Sequence, residues 1–263
     1  MTATRKTLAI VLRRSDFRES SRIVGLMTRD FGRLAFLAKG AHRPRSPFLG
    51  AIDLLHVGEA RVSVRAGRGL QSLYAFRVTE GNAPFRHDPL RRALAYRLVE
   101  GIRLAMPEGR VDAQAFDLLH GGLRLLRAAP RARLRAVHVA LALRLLDGQG
   151  LLPPLDRCPL SDAPLPERGR VGFAPEAGGF VALDRGGRPV DAALATLARR
   201  LLATPGRALP GLALPAGPLA ELERLVDDLW RWRLEEEPRV ALPPALFAEA
   251  ELAEGGAPPR IRT

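Results

Sequence analysis

The segment from Ser21 to Lys39, SRIVGLMTRDFGRLAFLAK, predicts two β-strands joined by a tight turn. Its first eight residues form an apolar run, and a turn follows at Asp30-Phe31-Gly32. The second strand alternates, with Leu34, Phe36 and Ala38 on one face, which is typical of a strand that buries one side. The chain is therefore expected to begin with a β domain.

Three more short runs on either side of this segment predict further strands. They cover Thr7–Leu12, the region Ala51–Arg65 with its alternating end RVSVR, and Leu70–Thr79 after a turn at residues 67–69. Five short strands separated by glycine-rich turns are typical of a small barrel. We predict a five-stranded OB-fold β-barrel over residues 1–81.

The spacing of apolar residues changes near residue 82. Asp88 and Asp112 are predicted N-caps of two helices, and a third helix ends at the glycines of 148–150. Apolar side chains at three- and four-residue intervals predict an amphipathic bundle over residues 82–150. The positions are Leu90, Leu94, Leu98 and Ile102; Phe116, Leu119, Leu123 and Leu126; Leu134, Val137, Leu141 and Leu145.

The second half of the chain predicts a small module followed by more helices. Residues 151–190 are rich in proline and glycine, which favours a compact loop or small β module. Residues 191–240 are assigned to two helices that complete the helical domain, one opened by Asp191. The other runs from Pro218 to about Glu236, with its apolar face at Leu222, Leu225, Leu229 and Trp232. Residues 241–263 are expected to be a flexible tail, and the whole is an α+β multidomain protein.

Charge separates the two ends of the chain. Its 263 residues carry 41 Lys and Arg against 28 Asp and Glu, a formal net charge of +13. The first 81 residues hold 15 cationic and six anionic side chains, a net of +9, whereas residues 220–263 have a net of −4. Such a surplus indicates a polyanionic partner, nucleic acid before an anionic membrane.

Cysteine content and hydropathy bear on location. The single cysteine, Cys158, permits no intrachain disulfide, which fits a reducing compartment. No apolar run has the length of a membrane span, and the run after Lys6 is too short for a signal peptide. A cytoplasmic protein is expected.

The densest candidate site follows the third strand. Lys39, Arg43 and Arg45 lie within seven residues of one another beside turn-forming glycine and proline. In an OB barrel, loops and one sheet face form the groove that follows a nucleic-acid strand. Arg33 completes the set of expected DNA contacts, and Arg13, Arg14 and Arg65 could extend it. The alternative is a solvated basic loop with no ligand.

Aromatic residues near these cations could stack on bases if they are exposed. The candidates are Phe17, Phe31, Phe48 and Tyr74, of which Phe31 sits in a turn. For any single ring, burial in the core is the stronger expectation, and Phe36 and Phe76 are assigned there.

Motifs for common enzyme chemistry are not found in the sequence. It contains no Walker A sequence, no G-x-S-x-G and no H-E-x-x-H. The five histidines are scattered, and Cys158 has no second cysteine at zinc-ligand spacing. We expect a protein that is not an enzyme and uses no cofactor or metal.

Several stretches, taken in order, resemble the recombination mediator family RecO. They are DFRESS at 16–21, TRDFGRL at 28–34, AKGAHR at 38–43 with Ser46, GLQSLY at 69–74, GLLPPLDRC at 150–158 and FAPEAGG at 173–179. The resemblance covers most of residues 5–240. It is specific because unrelated segments agree in the same order.

The resemblance implies an OB-fold domain, a helical domain and binding of single- and double-stranded DNA. It also implies annealing of complementary strands and loading of the RecA recombinase onto DNA coated with single-strand-binding protein. The implied partners are RecR and the acidic C-terminal tail of the single-strand-binding protein, with RecA and RecF indirect. A nucleoid-associated cytoplasmic protein without a membrane partner is implied.

The chain departs from this family at the module of residues 151–190. Many relatives carry a four-cysteine zinc site there. This chain keeps Cys158 but has Ser161, Ala182 and Arg185 at the other three positions. One thiolate cannot form a tetrahedral structural site, so we predict a zinc-finger-like module without metal. Packing around Leu155, Phe173 and Phe180 should hold it.

Three other interpretations remain open from the sequence. They are an OB-fold RNA-binding protein, a non-catalytic adaptor, and an enzyme whose site follows no common motif.

Overall fold

The N-terminal residues form a closed five-stranded barrel. The computed structural model describes residues 4–65, 67, 69–234, 240, 242, 246 and 247. The strands are β1 (Arg5–Phe17), β2 (Ser21–Thr28), β3 (Gly32–Ala38), β4 (Val57–Ser63) and β5 (Leu70–Glu80). Around the barrel they follow the order β1-β2-β3-β5-β4, with β3 and β5 parallel and the other neighbours antiparallel. The predicted barrel of the OB type is confirmed.

The side chains that point inward from alternate positions of the strands fill the barrel. Phe36 and Ala38, which the sequence assigned to one face of β3, are both fully buried, and Phe76 on β5 joins them. Leu34, the third predicted member of that face, is only half-buried and packs against the edge of this cluster. Because successive side chains of a strand point to opposite faces, the intervening residues face outward.

The first strand is longer than predicted, and the bounds Thr7–Leu12 are wrong at both ends. Beyond Val11 the pairing with β2 shifts by one residue, and Arg13–Phe17 continue as a polar hairpin arm with β2. Such a bulge lets a strand bend and continue in a new register. The sequence did not predict this extension, because most of its residues are polar, and apolar and polar residues do not alternate along it.

Besides four short 3-10 helices, six α-helices with defined bounds follow the barrel in the described chain. They are α1 (Ala83–His87), α2 (Pro89–Ala105), α3 (Ala113–Ala128), α4 (Leu134–Gly148), α5 (Ala193–Ala203) and α6 (Ala216–Leu234). Asp88, Asp112 and Asp191 each accept a hydrogen bond from a backbone N–H in the first turn of the helix they precede. The three predicted helix starts are confirmed, whereas the short α1 was not predicted.

The apolar face of α6 differs from the predicted one at its end. Leu222, Val226 and Trp230 lie four residues apart and are buried. Trp232 is 54% exposed, so its assignment to that face is wrong. Two residues correspond to about 200° around a helix, which puts Trp232 on the side away from Trp230.

Residues 151–190 contain a small antiparallel sheet. Its strands are β6 (Arg170–Ala174), β7 (Gly179–Val181) and β8 (Arg188–Asp191), in the order β7-β6-β8. The rings of Phe173 and Phe180 meet edge to face with centroids 5.4 Å apart, and Leu155 is buried as well. The three side chains expected to hold the module are therefore buried in it.

Cys158 lies beside Ser161 and Ala182, two of the three residues that stand where relatives have cysteines. Burial raises the pKa of its thiol, but hydrogen bonds from Ser161 and from backbone amides, that of Ala182 among them, bring the pKa down to about 7. The thiol packs against Ala174 and Val181 in an apolar cluster. Within the described residues, no three metal-ligating side chains lie together. A donor set of one thiol does not fit a structural zinc ion.

Tertiary contacts divide the chain into two compact units. The first contains the residues up to His87 and Ile102–Leu123, and the second contains Asp88–Gly101 and the chain from Arg124 onward. The described helices include none long and apolar enough to cross a membrane. The expected tail, residues 241–263, lies outside the described residues except at 242, 246 and 247.

Gly58 on β4 is a position where the barrel tolerates no side chain. A Cβ atom there would lie 2.3 Å from the carbonyl oxygen of Arg77 and 2.8 Å from Cε1 of Phe76. We expect Gly58→Ala to lower the free energy of unfolding by about 1–3 kcal/mol, because neighbouring backbone must move. Gly121→Ala, in open space on α3, should instead raise it by about 0.5–1 kcal/mol. Urea unfolding of both variants measures this, and equal stabilities would contradict the packing described.

His138 on α4 predicts a pH dependence of stability. Its side chain is 5% exposed, and burial, with a smaller effect of the Arg97 charge, lowers the pKa of the imidazole to about 3. Below the unfolded pKa of about 6.5, the unfolded chain binds a proton that the folded protein does not. Stability is therefore lost as the pH falls from about 6.5 toward 3.

Replacement of this histidine isolates the effect. The free energy of unfolding of His138→Leu, relative to that of the wild type, should rise by about 1.4 kcal/mol for each unit by which the pH falls from 6 to 4. Burial raises the pKa of Glu223 on α6 to about 7, which acts with the opposite sign but is present in both proteins. Urea unfolding at several pH values measures the difference, and a difference independent of pH would show that His138 titrates normally.

Candidate nucleic-acid interface

The outer surface of β1, β2 and β3 carries the exposed Arg13. Arg13 pairs with Gly25, and Gly25 pairs with Ala35 on the next strand. These three residues face outward, since their neighbours Val24 and Phe36 are buried in the barrel. Two small residues side by side leave the backbone accessible to a ligand. We call Arg13, Ile23, Gly25, Ala35 and Leu37 the β2–β3 face.

A basic loop, residues 39–51, continues from the end of β3. Turns between Gly40 and Arg43 and between Arg43 and Ser46 shape it, with N···O distances of 3.1 and 3.0 Å. Phe48 and Ile52 are buried and anchor the loop on the barrel core. The polar side chains of the loop are therefore left on its outside.

The three loop cations predicted from the sequence are exposed. Within the part of the chain that the structure describes, no carboxylate lies within 4.0 Å of Lys39, Arg43 or Arg45. They are therefore available for an anionic ligand, and Arg13 is in the same condition. A solvated loop without a ligand would have the same exposure, so binding itself stays a prediction.

Arg14 has a different environment from its neighbour Arg13. Because side chains alternate along β1, Arg14 points to the other side of the hairpin, 3.0 Å from Asp53. Burial acts to raise the pKa of Asp53, but hydrogen bonds from Asn82 and the Leu54 amide, with the Arg14 charge, hold it below its ordinary value. Arg14 thus stabilises the segment that follows the basic loop.

Asp16 connects the hairpin arm to the basic loop. Its carboxylate accepts from Arg22 at 2.8 Å and lies 3.0 Å from Nε2 of His42. The hydrogen bond from Arg22 is the main reason that the pKa of Asp16 is lowered. The two sequence motifs at 16–21 and 38–43 are therefore in contact, and His42 positions the loop that carries Arg43.

Arg33 lies at the start of β3 and is half-buried. It donates to the carbonyl of Met106 at 3.0 Å, and its own carbonyl accepts from Gly109. Burial lowers the pKa of its guanidinium; the Glu108 carboxylate opposes this, and the charges of Arg103 and Arg13 add to it. Arg33 therefore fixes the connection between α2 and α3 against the barrel rather than facing solvent freely.

The sequence-predicted cations do not form one cluster. Arg33 and Lys39 are separated by six residues of extended chain, about 20 Å along the strand. Arg65 follows β4, and the side chain of Gln71, which pairs with Phe36 of β3, bonds both backbone groups of Arg65. The structure also brings Arg103 near Arg33, a neighbour that no sequence signal indicated.

The aromatic candidates differ in exposure. Phe48 is buried, and Phe17 and Phe31 are half-buried beneath the guanidinium groups of Arg18 and Arg5. Tyr74 alone among the four is well exposed, at 46%. The expectation that most of these rings pack against the protein is confirmed. Phe31, whose place in a turn suggested exposure, is half-buried.

Comparison with known proteins agrees with the fold. The model "Recombination protein O N terminal" matches residues 1–82, and "Recombination protein O C terminal" matches residues 86–242. The chain is 34% identical over 170 residues to the DNA repair protein RecO of Moorella thermoacetica, covering 65% of this chain and 62% of that protein.

Two further relatives have the same name. The DNA repair protein RecO of Anaeromyxobacter dehalogenans is 36% identical over 176 residues, covering 66% of this chain and 67% of the relative. That of Chlorobium limicola is 30% identical over 160 residues, covering 61% of each. The chain thus spans roughly three fifths to two thirds of the length of these relatives.

The barrel with its basic loop, the helices that follow the barrel in the chain and the two family matches, which together cover most of the chain, agree with one another. This chain belongs to the RecO family.

Proposed function

We propose that the β2–β3 face and the basic loop bind the phosphate backbone of DNA. The observation that carries this proposal is the exposure of Lys39, Arg43, Arg45 and Arg13 without carboxylate partners among the described residues. Arg33, bonded to the Met106 carbonyl, Arg65, whose backbone is bonded to Gln71, and Arg14, paired with Asp53, are weaker candidates for contact with the ligand. The small residues Gly25 and Ala35 allow a strand to approach the sheet closely.

Phosphate contacts of this kind supply affinity without sequence preference. Each cation that neutralises a phosphate releases condensed counterions, so affinity falls as salt is added. The four exposed cations are not paired with carboxylates of the described residues, so their charge remains available to attract a polyanion. The surface therefore suits a protein that must bind any DNA sequence, single- or double-stranded.

The wider role proposed is that of a recombination mediator. Holding two complementary strands by their phosphates screens the repulsion between them and so favours annealing. With RecR, and through the acidic tail of the single-strand-binding protein, the chain would help RecA load onto coated single strands. None of these steps requires covalent chemistry by the chain, which agrees with a non-enzymatic role.

The same cations could hold RNA. Phosphate contacts do not distinguish the two nucleic acids, whereas recognition of RNA depends on its 2′-hydroxyl groups. Competition between DNA and RNA strands of equal length and sequence decides between them. Preference for RNA would favour an RNA-binding protein over the mediator.

The triple variant Lys39→Ala, Arg43→Ala, Arg45→Ala tests the surface. If each side chain contacts one phosphate of a single strand, the slope of log affinity against log salt should become shallower by about 2. Fluorescence anisotropy of a labelled oligonucleotide across a salt series measures the slope.

The matched control removes three exposed arginines elsewhere, with Arg168→Ala, Arg200→Ala and Arg207→Ala. These residues also lack carboxylate partners within the described chain. Because the change in net charge is the same, the control separates a local contact from the overall field. Equal slopes for the two triple variants would exclude the basic loop as the binding surface.

Arg13 and Arg14 form a matched pair for the mediator role. Arg13→Ala should slow annealing of complementary strands coated with single-strand-binding protein, in the absence of nucleotide and metal, because a phosphate contact is lost. Arg14→Ala should anneal at nearly the wild-type rate while losing about 0–1 kcal/mol of stability, as for a partly exposed ion pair. The reverse order of annealing rates would place the DNA on the other side of β1.

A further inference from the structure

A second set of cations lies on the side of the barrel away from the β2–β3 face. On the outer surface of β1, β4 and β5, Lys6 pairs with Arg61 and Arg61 pairs with Ala75. One step along the strands, Glu59 pairs with Arg77. The strand order β1-β2-β3-β5-β4 puts β4 across the barrel from β2 and β3. These cations therefore cannot serve the same stretch of ligand as the basic loop.

A bulge in β5 adds an exposed aromatic ring to this surface. The pairing of β4 with β5 shifts between Arg61 and Val62, which are opposite Ala75 and Leu73. The extra residue is Tyr74, between the buried Leu73 and the outward Ala75. Bulges re-aim side chains, and this one leaves Tyr74 46% exposed next to Arg61.

The charges of this surface are only partly compensated. Nζ of Lys6 lies 3.2 Å from Glu59, whereas no carboxylate of the described residues lies within 4.0 Å of Arg61 or Arg77. The ion pair cancels the charge of Glu59, so the surface remains positive around Tyr74. We call Lys6, Arg61, Tyr74 and Arg77 the β4–β5 face.

A shallow pocket of about 320 Å³ lies on the same three strands, and Tyr74 is not among the residues that line it. Its lining includes Lys6 and Arg77 of the β4–β5 face, with Glu59, Asp30 and Thr79. Carboxylates and hydroxyls can accept or exchange hydrogen bonds with the amino groups of bases, while the cations suit phosphates. The pocket thus offers partners for both the base and the phosphate of a nucleotide.

We propose that the β4–β5 face is a second binding surface for single-stranded nucleic acid, on which a base stacks against Tyr74 and Arg61 and Arg77 contact the flanking phosphates. The proposal rests on the proposed function, because it takes a polynucleotide as the ligand of the barrel. An exposed ring interleaved with cations is the arrangement that binds single strands without sequence preference. A protein partner would call for a larger apolar patch than one tyrosine.

Two faces on opposite sides of one barrel give a single molecule the means to hold two strands. The β2–β3 face would hold one strand through the basic loop, and the β4–β5 face would hold another by stacking. The stoichiometry of short strands per protein therefore reports on the second face directly.

Native mass spectrometry of the full chain with an oligonucleotide of about eight nucleotides, within the range bound by one OB fold, tests the proposal. The wild type should bind two oligonucleotides. The double variant Tyr74→Ala, Arg61→Ala should bind one, as should the triple variant of the basic loop, and the combined variant should bind none. Two oligonucleotides on the Tyr74→Ala, Arg61→Ala protein, or only one on the wild type, would overturn the proposal.

Substitutions of the ring separate stacking from charge. In the triple-variant background, Tyr74→Ala should weaken binding by about 5- to 150-fold, whereas Tyr74→Phe should retain it. Arg168→Ala with Arg207→Ala is the charge-matched control for Arg61→Ala with Arg77→Ala and should have little effect. Equal binding by Tyr74→Ala and Tyr74→Phe would contradict stacking on this ring.

The outcome distinguishes this proposal from the function on which it rests. If the triple variant of the basic loop still binds two oligonucleotides, the basic loop is not a binding surface, whichever result the Tyr74 variants give. Photocrosslinking of a bromouracil-substituted strand to the wild type gives a second measurement. An adduct on the peptide that contains Tyr74 supports the β4–β5 face, and adducts confined to the basic loop oppose it.

Discussion

The parallel pairing of β3 with β5 is the interaction on which the rest of the first unit depends. Residues 35–38 pair with residues 70–73 and close a sheet that would otherwise have two open edges. Once the barrel is closed, one face of each strand must be apolar and the other must meet solvent or a ligand. Arg13 and Arg14 are neighbours in sequence, but this constraint puts their side chains on opposite sides of β1.

Many cationic side chains of the chain bond other parts of the protein. The net charge therefore overstates the number of cations that are available to a ligand. Arg91 donates to the carbonyls of Leu126, Arg127 and Ala129 at the end of α3. Arg144 does the same for the carbonyls at the end of α5. Helix ends leave such carbonyls unpaired, and an arginine there satisfies them and complements the helix dipole. The cations of the basic loop differ because no such partner is near them in the described chain.

The module of residues 151–190 keeps its fold with one cysteine. Apolar packing around Phe173 and Phe180 and the cluster of Cys158, Ala174 and Val181 occupy its interior. The Cys158 thiol accepts hydrogen bonds from backbone amides in this interior. Because the module has a hydrophobic interior of its own, it can dispense with the crosslink that a metal provides in a domain too small to form a core.

The sequence by itself determined the element types, the three helix starts and the basic loop, because periodicity, capping residues and charge density are local properties. It also predicted which aromatic rings are buried at Phe36 and Phe76. Only the tertiary structure decided that Arg33 is half-buried against Met106, that Trp230 rather than Trp232 is buried, and that Tyr74 is turned outward. Each of these depends on a neighbour distant in sequence or on a bulge that shifts the register by one residue. No local pattern encodes such a shift, and it reverses the direction in which every following side chain points.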